Sequence, residues 1–101
     1  RRVRHIIGIT YNTPTKKIEE FMDQVKYLIS QHPQTLKEDI RVYFQNMGDF
    51  NLQILVQFNV QTDDVHVEFK IQQEVLLSIM DIAESSGIEF AFPTQTIHLK
   101  Q

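Results

Sequence analysis

Cysteine is absent from the 101 residues, which excludes a disulfide framework, a thiolate metal site and a cysteine nucleophile. Tryptophan is absent too, and glycine and proline occur three times each. Gly8, Gly48 and Gly87 fall in separate segments, so no glycine-rich loop is available to cradle a phosphate. No stretch approaches the roughly 18 consecutive apolar residues that a spanning helix needs, and nothing has the layout of a signal peptide. The chain opens on Arg1 without an initiator methionine, so it reads as a fragment or a processed product. The lack of a membrane segment within it therefore carries no information about what precedes it.

Positive charge is also in short supply. Ten Lys and Arg stand against 13 Asp and Glu, a net charge of −3, which disfavours nucleic-acid binding because that rests on neutralising phosphates. What remains is the balance of a soluble globular domain, 42% hydrophobic and 23% charged, without repeats or low-complexity stretches. One compact domain is expected.

Val3, His5, Ile7, Ile9 and Tyr11 share one face of a period-two pattern, predicting a strand over about 3–11. Asn12-Thr13-Pro14 supplies a turn, with Thr13 as N-cap and Pro14 at the first helical position. Ile18, Phe21, Met22, Val25, Leu28 and Ile29 then follow helical spacing to about Gln31, and His32-Pro33 closes the helix. A second strand alternates from Ile40 to Asn46, with Ile40, Val42 and Phe44 on one face. Gly48-Asp49 turns the chain into a third, in which Leu52, Ile54, Val56, Phe58 and Val60 alternate with polar residues. A second helix is predicted over about 67–85. Its apolar set is Val67, Phe69, Ile71, Val75, Leu76, Ile79, Ile82 and Ala83, with Asp63 or Asp64 serving the N-terminal end and Gly87 the left-handed C-terminal cap. Ile88, Phe90 and Phe92 form a fourth strand that Pro93 interrupts, and 96–100 is a short extended tail.

The order β-α-β-β-α-β matches an α+β, ferredoxin-like plan: an antiparallel sheet with two helices on one face, plus a C-terminal strand suited to oligomerisation. The domain is expected over 1–93 and the assembly strand over 94–101. The open face should carry Arg41, Tyr43, Gln45, Gln53, Leu55, Gln57 and Ile6. Its third strand lacks the aromatic pair and the basic residues with which such sheets bind RNA. His5, His32, His66 and His98 lack the spacing of a metal motif, so no metal is expected, and Asp63 and Asp64 read as capping groups. No serine sits in a nucleophile elbow. An enzymatic role is not expected, nor a cofactor or a small-molecule substrate. Arg1, Arg2 and Arg4 form a basic cluster that either meets an acidic partner or a membrane surface or is a solvated chain end.

The plan alone yields no function, since it hosts many. The words Ile7-Gly8-Ile9-Thr10-Tyr11-Asn12-Thr13, Glu38-Asp39-Ile40-Arg41-Val42 and Gly48-Asp49 say more. Together with the ending Gly87-Ile88-Glu89-Phe90-Ala91-Phe92-Pro93-Thr94-Gln95-Thr96-Ile97, they resemble the C-terminal domain of small-conductance mechanosensitive (MscS) channels over nearly the whole chain. The resemblance implies a ring of identical subunits, seven in the family, whose α/β domains build a cytoplasmic vestibule with side portals below an inner-membrane pore gated by tension. It also implies subunit assembly through Phe92, Pro93, Thr94, Gln95, Thr96, Ile97, His98 and Leu99, with 94–99 as a barrel strand, and portal-proximal charge at Arg1, Arg2 and Arg4. The competing reading is a free-standing regulatory module that binds a small ligand at a dimer interface, weakened by the absence of glycine from the helix-entry turn.

Overall fold

The computed structural model describes residues 1–91. In chain order the elements are β1 (Arg2–Ile9), α1 (Thr15–Gln31), β2 (Arg41–Met47), β3 (Leu52–Asn59) and α2 (Val65–Ser86). The sheet is antiparallel with the order β1-β3-β2. Val3 lies opposite Phe58, Ile9 opposite Leu52, and Val42 opposite Val56. Because side chains alternate across a strand, this register collects Val3, Ile9, Val42, Leu52, Ile54, Val56 and Phe58 on one face. There they meet Ile18, Phe21, Val25 and Ile29 of α1 and Ile71, Val75, Ile79 and Ala83 of α2 in a single core. Each large side chain removed from water in this layer contributes roughly 1.5–3 kcal/mol, which is what holds helices of ordinary propensity in place.

α1 starts one residue later than its sequence signals predict. Pro14 is the N-cap, in extended geometry at ψ 145, and its carbonyl accepts the first helical hydrogen bond from Ile18 N–H at 3.1 Å. The Thr13 hydroxyl is committed to the turn instead, donating to Thr10 O at 2.7 Å. With Pro14 at the cap position, no side chain caps the helix. At the other end Thr35 is buried, its hydroxyl donating to Ile29 O at 2.5 Å.

β2 is an edge strand with a register shift between Phe44 and Asn46, so Gln45 is left without a partner on β3. Beyond the bulge Asn46 takes the position opposite Gln53, so the alternation restarts one residue late. Phe44 does lie on the helix-side face, opposite Ile54, yet it is exposed because no strand lies beyond it among the described residues.

Asp64 caps α2 by accepting from His66 N–H at 2.8 Å. Gly87, at φ 74, ends it in the left-handed conformation. The bonds from Gly87 N–H to Glu84 O and from Ile88 N–H to Ala83 O complete a Schellman arrangement. One member of the predicted apolar set is wrong. Phe69 points into solvent, and the buried stripe runs Glu68, Ile71, Val75, Ile79 and Ala83. The fourth strand shrinks, among the described residues, to one antiparallel bridge between Ile9 and Phe90 at the outer edge of β1. It is held by Thr10 N–H to Glu89 O at 3.1 Å and Ala91 N–H to Gly8 O at 2.9 Å. Its position beside β1 is the one the ferredoxin-like plan requires.

Candidate functional site

The alternation of β1 splits the basic cluster read from the sequence. Arg1 points to the helix side, where its guanidinium donates to Glu68 Oε1 at 2.9 Å. Its backbone pairs with Val60, whose N–H donates to Arg1 O at 2.8 Å. Glu68 is nearly enclosed, with its side chain 12% exposed, whereas that of Arg1 is 47% exposed. The second Glu68 oxygen accepts from Gln72 Nε2 at 3.3 Å, and Gln72 Oε1 lies 3.2 Å from His5 Nε2. The result is a polar chain, Arg1–Glu68–Gln72–His5, that ties α2 to β1. Neither Glu68 nor Gln72 was singled out in the sequence, although a carboxylate in phase with Ile71 and Val75 was there as a break in an otherwise apolar stripe.

Arg2 and Arg4 point the other way, onto the open sheet face. The strand register sets Arg4 opposite Gln57 and Gln57 opposite Arg41, and Arg2 opposite Asn59. Neighbouring positions of this kind have Cβ atoms about 5 Å apart, so Arg4, Gln57 and Arg41 form one row across the sheet. Gln57 is 5% exposed, at a position flanked by two long side chains. The next row is Ile6, Leu55 and Tyr43, so the open face alternates a cationic row with an apolar one. Arg41 is not free. It grips Asp39 with two hydrogen bonds, at 2.7 and 3.1 Å, and that carboxylate holds its pKa above the ordinary guanidinium value. Asp39 itself adopts a left-handed φ of 62, a conformation that aspartate tolerates better than most residues.

The assembly residues Phe92, Pro93, Thr94, Gln95, Thr96, Ile97, His98 and Leu99 lie outside the described residues. The structure carries the chain as far as Ala91, anchored against Gly8 at the outer edge of β1. No group of three or more His, Cys, Asp or Glu that would hold a metal ion occurs among the described residues. No helix among them is long and apolar enough to cross a membrane.

The depressions in the surface are open. One of about 450 Å³ at the β2 edge is lined by Lys26, Ser30, Lys37, Ile40, Arg41 and Tyr43 with Asp39. Another of about 430 Å³ lies between β1 and α2, where Ile6, Ile7, Met80 and Phe90 meet. Neither brings a nucleophile and a base together. Among the described residues the arrangement offers charged and apolar contact surfaces.

A family model described as mechanosensitive ion channel MscS, C-terminal, matches residues 3–90. Similar proteins include the small-conductance mechanosensitive channel MscMJ of Methanocaldococcus jannaschii, 38% identical over 101 residues covering all of this chain and 29% of that protein. An MscS family protein of Aquifex aeolicus is 36% identical over 102 residues, again covering the whole chain but 28% of the relative. The low conductance mechanosensitive channel YnaI of Escherichia coli is 32% identical over 100 residues. The chain thus spans less than a third of the length of these relatives. Among solved structures, Arabidopsis thaliana MSL1 superposes with a TM-score of 0.82 over 92% of this chain and 34% of its own, at 15% identity. The closed-state MscS of Helicobacter pylori gives 0.68 over the full chain and 38% of its own, at 16% identity.

Proposed function

The chain belongs to the MscS family of mechanosensitive ion channels, as the family's C-terminal domain, and from that premise we propose that it is the cytoplasmic vestibule domain of a tension-gated channel. The observation that carries this reading is the family match over residues 3–90, nearly the whole chain. In it the pore and the tension sensor lie in the part of the protein that this domain does not include. The domain assembles: identical copies form a ring, seven by the family's resemblance, at the cytoplasmic side of an inner membrane. The full channel opens under bilayer tension and releases ions and small solutes on osmotic downshock.

Thr94 to Leu99 form the assembly strand, with Phe92 and Pro93 leading into it. The anchoring of Ala91 to the outer edge of β1 supports this. It holds the last described residue at a sheet edge, and a short strand with unpaired edges gains hydrogen bonds from identical neighbours when a head-to-tail ring closes. Among the basic residues, Arg2 and Arg4 supply the portal-proximal charge, while Arg1 has Glu68 beside it.

Deleting residues 94–101 in the complete protein tests the assembly role. The ring should dissociate more readily on heating, read by native mass spectrometry across a temperature series, while patch recording of the undeleted channel shows tension-dependent openings. A ring of undiminished thermal stability after the deletion would remove the assembly role. Absence of tension-dependent current would remove the channel reading.

A further inference from the structure

We propose that the depression at the β2 edge binds a nucleoside monophosphate, with the phosphate between Lys26 and Lys37 and the base against Tyr43. Three consecutive parts of the chain meet there: Lys26 and Ser30 come from α1, Lys37 and Asp39 from the loop that follows, and Arg41 and Tyr43 from β2. Its volume of about 450 Å³ falls within the roughly 300–1,000 Å³ of small-molecule sites. Such a site does not depend on the channel reading above, because every residue in it belongs to the described domain.

Charge selects a phosphate. The chain as a whole carries −3, yet here Lys26, Lys37 and Arg41 face the single carboxylate of Asp39, a local charge of +2. A phosphate monoester brings about −1.5 to −2 at pH 7 and so neutralises the site, whereas a carboxylate leaves positive charge over. Donors remain for it. Arg41 gives two bonds to Asp39 and keeps the rest of its guanidinium N–H groups. The Lys37 ammonium donates to His32 O and to Thr35 Oγ1, the latter at 3.0 Å, and keeps its third donor. The first of these bonds occupies the carbonyl at the C-cap of α1, where the negative end of the helix dipole would otherwise repel an anion. Lys26 takes part in no ion pair among the described residues.

The rest of the lining suits a sugar and a base. Ser30 Oγ donates to Tyr27 O at 2.7 Å, so its lone pairs are left as acceptors, and each Asp39 oxygen accepts one bond from Arg41 with capacity for another. Ribose hydroxyls need such acceptors. Tyr43 is 59% exposed and shares the depression with Arg41; an open ring beside a guanidinium is a platform on which a base stacks. Ile40 is the one aliphatic residue in the lining among the described residues. There is little to hold an acyl chain, which favours a soluble nucleotide over a phospholipid headgroup.

The test is calorimetric titration of the complete protein with AMP at about 0.05 M salt, where screening of an open site is mild. Inorganic phosphate, ribose 5-phosphate, adenosine and the short-chain lipid dihexanoyl phosphatidic acid form separate arms. AMP should saturate one site per chain, with phosphate and ribose 5-phosphate weaker by about fivefold or more for want of the stacked base. Lys26→Glu should weaken AMP by about tenfold or more, whereas the charge-matched control Lys16→Glu should not. Tyr43→Ala should weaken AMP by about fivefold and leave phosphate unchanged. Lys16, Lys26 and Tyr43 are all exposed, so the three variants should melt within a few degrees of the parent, which circular dichroism checks.

No saturable binding of AMP would overturn the site, as would equal losses in Lys26→Glu and Lys16→Glu. Adenosine binding as tightly as AMP would overturn the role of the phosphate. Phosphate binding as tightly as AMP, or a Tyr43→Ala variant with full AMP affinity, would overturn the nucleoside. Displacement of AMP by dihexanoyl phosphatidic acid at equal concentration would overturn the soluble ligand in favour of a lipid headgroup.

Discussion

Arg1 and Glu68, 67 residues apart, meet at 2.9 Å between the leading end of β1 and the first turn of α2. The carboxylate is nearly enclosed and the guanidinium half exposed, so the two partners contribute unequally. Removing the guanidinium leaves a largely buried carboxylate with Gln72 as its remaining side-chain partner. Neutralising the carboxylate removes that burden. Arg1→Ala should therefore destabilise the domain by about 1 kcal/mol in urea unfolding, a value kept low because half of the pair is screened by water. Arg1→Ala in a Glu68→Gln background should cost clearly less. Equal costs in the two backgrounds would mean that the pair is not coupled.

Phe21 is fully buried between α1 and the sheet, and Ile54 occupies the centre of the middle strand. Phe21→Ala should cost about 3–5 kcal/mol and Ile54→Val about 0.5–1.5 kcal/mol, by loss of transfer energy and the cavity left behind. A domain of this size has on the order of 5–15 kcal/mol in total. The first substitution should leave a domain that unfolds near physiological temperature, whereas the second should lower the melting temperature by a few degrees; circular dichroism melts distinguish them.

Gly8 and Gly87 are glycine for different reasons. At Gly87 the φ of 74 is the constraint, and an added Cβ would have room, with Lys17 Nζ at 3.5 Å as its nearest neighbour. Gly87→Ala should cost about 1 kcal/mol and Gly87→Asn less, since asparagine visits the left-handed region more readily. At Gly8 the constraint is space: a Cβ would collide with the Asn51 amide and lie 2.7 Å from Ala91 O. Gly8→Ala should therefore push the segment carrying Ala91 off the edge of β1. In amide hydrogen exchange, Thr10 and Ala91 should lose protection in Gly8→Ala and keep it in Gly87→Ala.

Much of this fold was readable because periodicity and punctuation agreed. Ile18, Phe21, Val25 and Ile29 mark one helix face, and Asp64 and Gly87 bound α2 with the chemistry its ends demand. The misreadings come from effects that no local pattern contains. Phe69 fits an apolar helix but sits on the far side of a stripe spaced by fours, and α2 has enough apolar residues for two faces. Thr13 is a good cap by type, yet the helix starts one residue later, with Pro14 at the cap position. The register of β2 beyond Phe44 depends on a bulge that no alternation pattern announces. At the candidate site, the nearness of Arg1, Arg2 and Arg4 in sequence was misleading, since strand alternation sends Arg1 to one face and the other two to the opposite one. The row Arg4, Gln57, Arg41 depends on strand order, which is a property of the whole sheet.

That separation bears on the proposed portal-proximal charge. Arg2 and Arg4 project from the open sheet face with no ion pair found among the described residues, whereas the charge of Arg1 is offset by Glu68 at 2.9 Å. A field that favours anions near a portal depends on net charge, so a paired arginine adds little to it. Arg2→Gln combined with Arg4→Gln should lower the ratio of anion to cation permeability by roughly twofold at 0.1 M salt, an effect that grows as salt is reduced because the Debye length lengthens. Arg1→Gln exposes the Glu68 charge, so it should shift the same ratio in the same direction but by less, and should lower stability as well. Reversal potentials measured under a salt gradient, at two ionic strengths, check the order of these effects. An unchanged ratio in the double variant would place Arg2 and Arg4 away from the ion path.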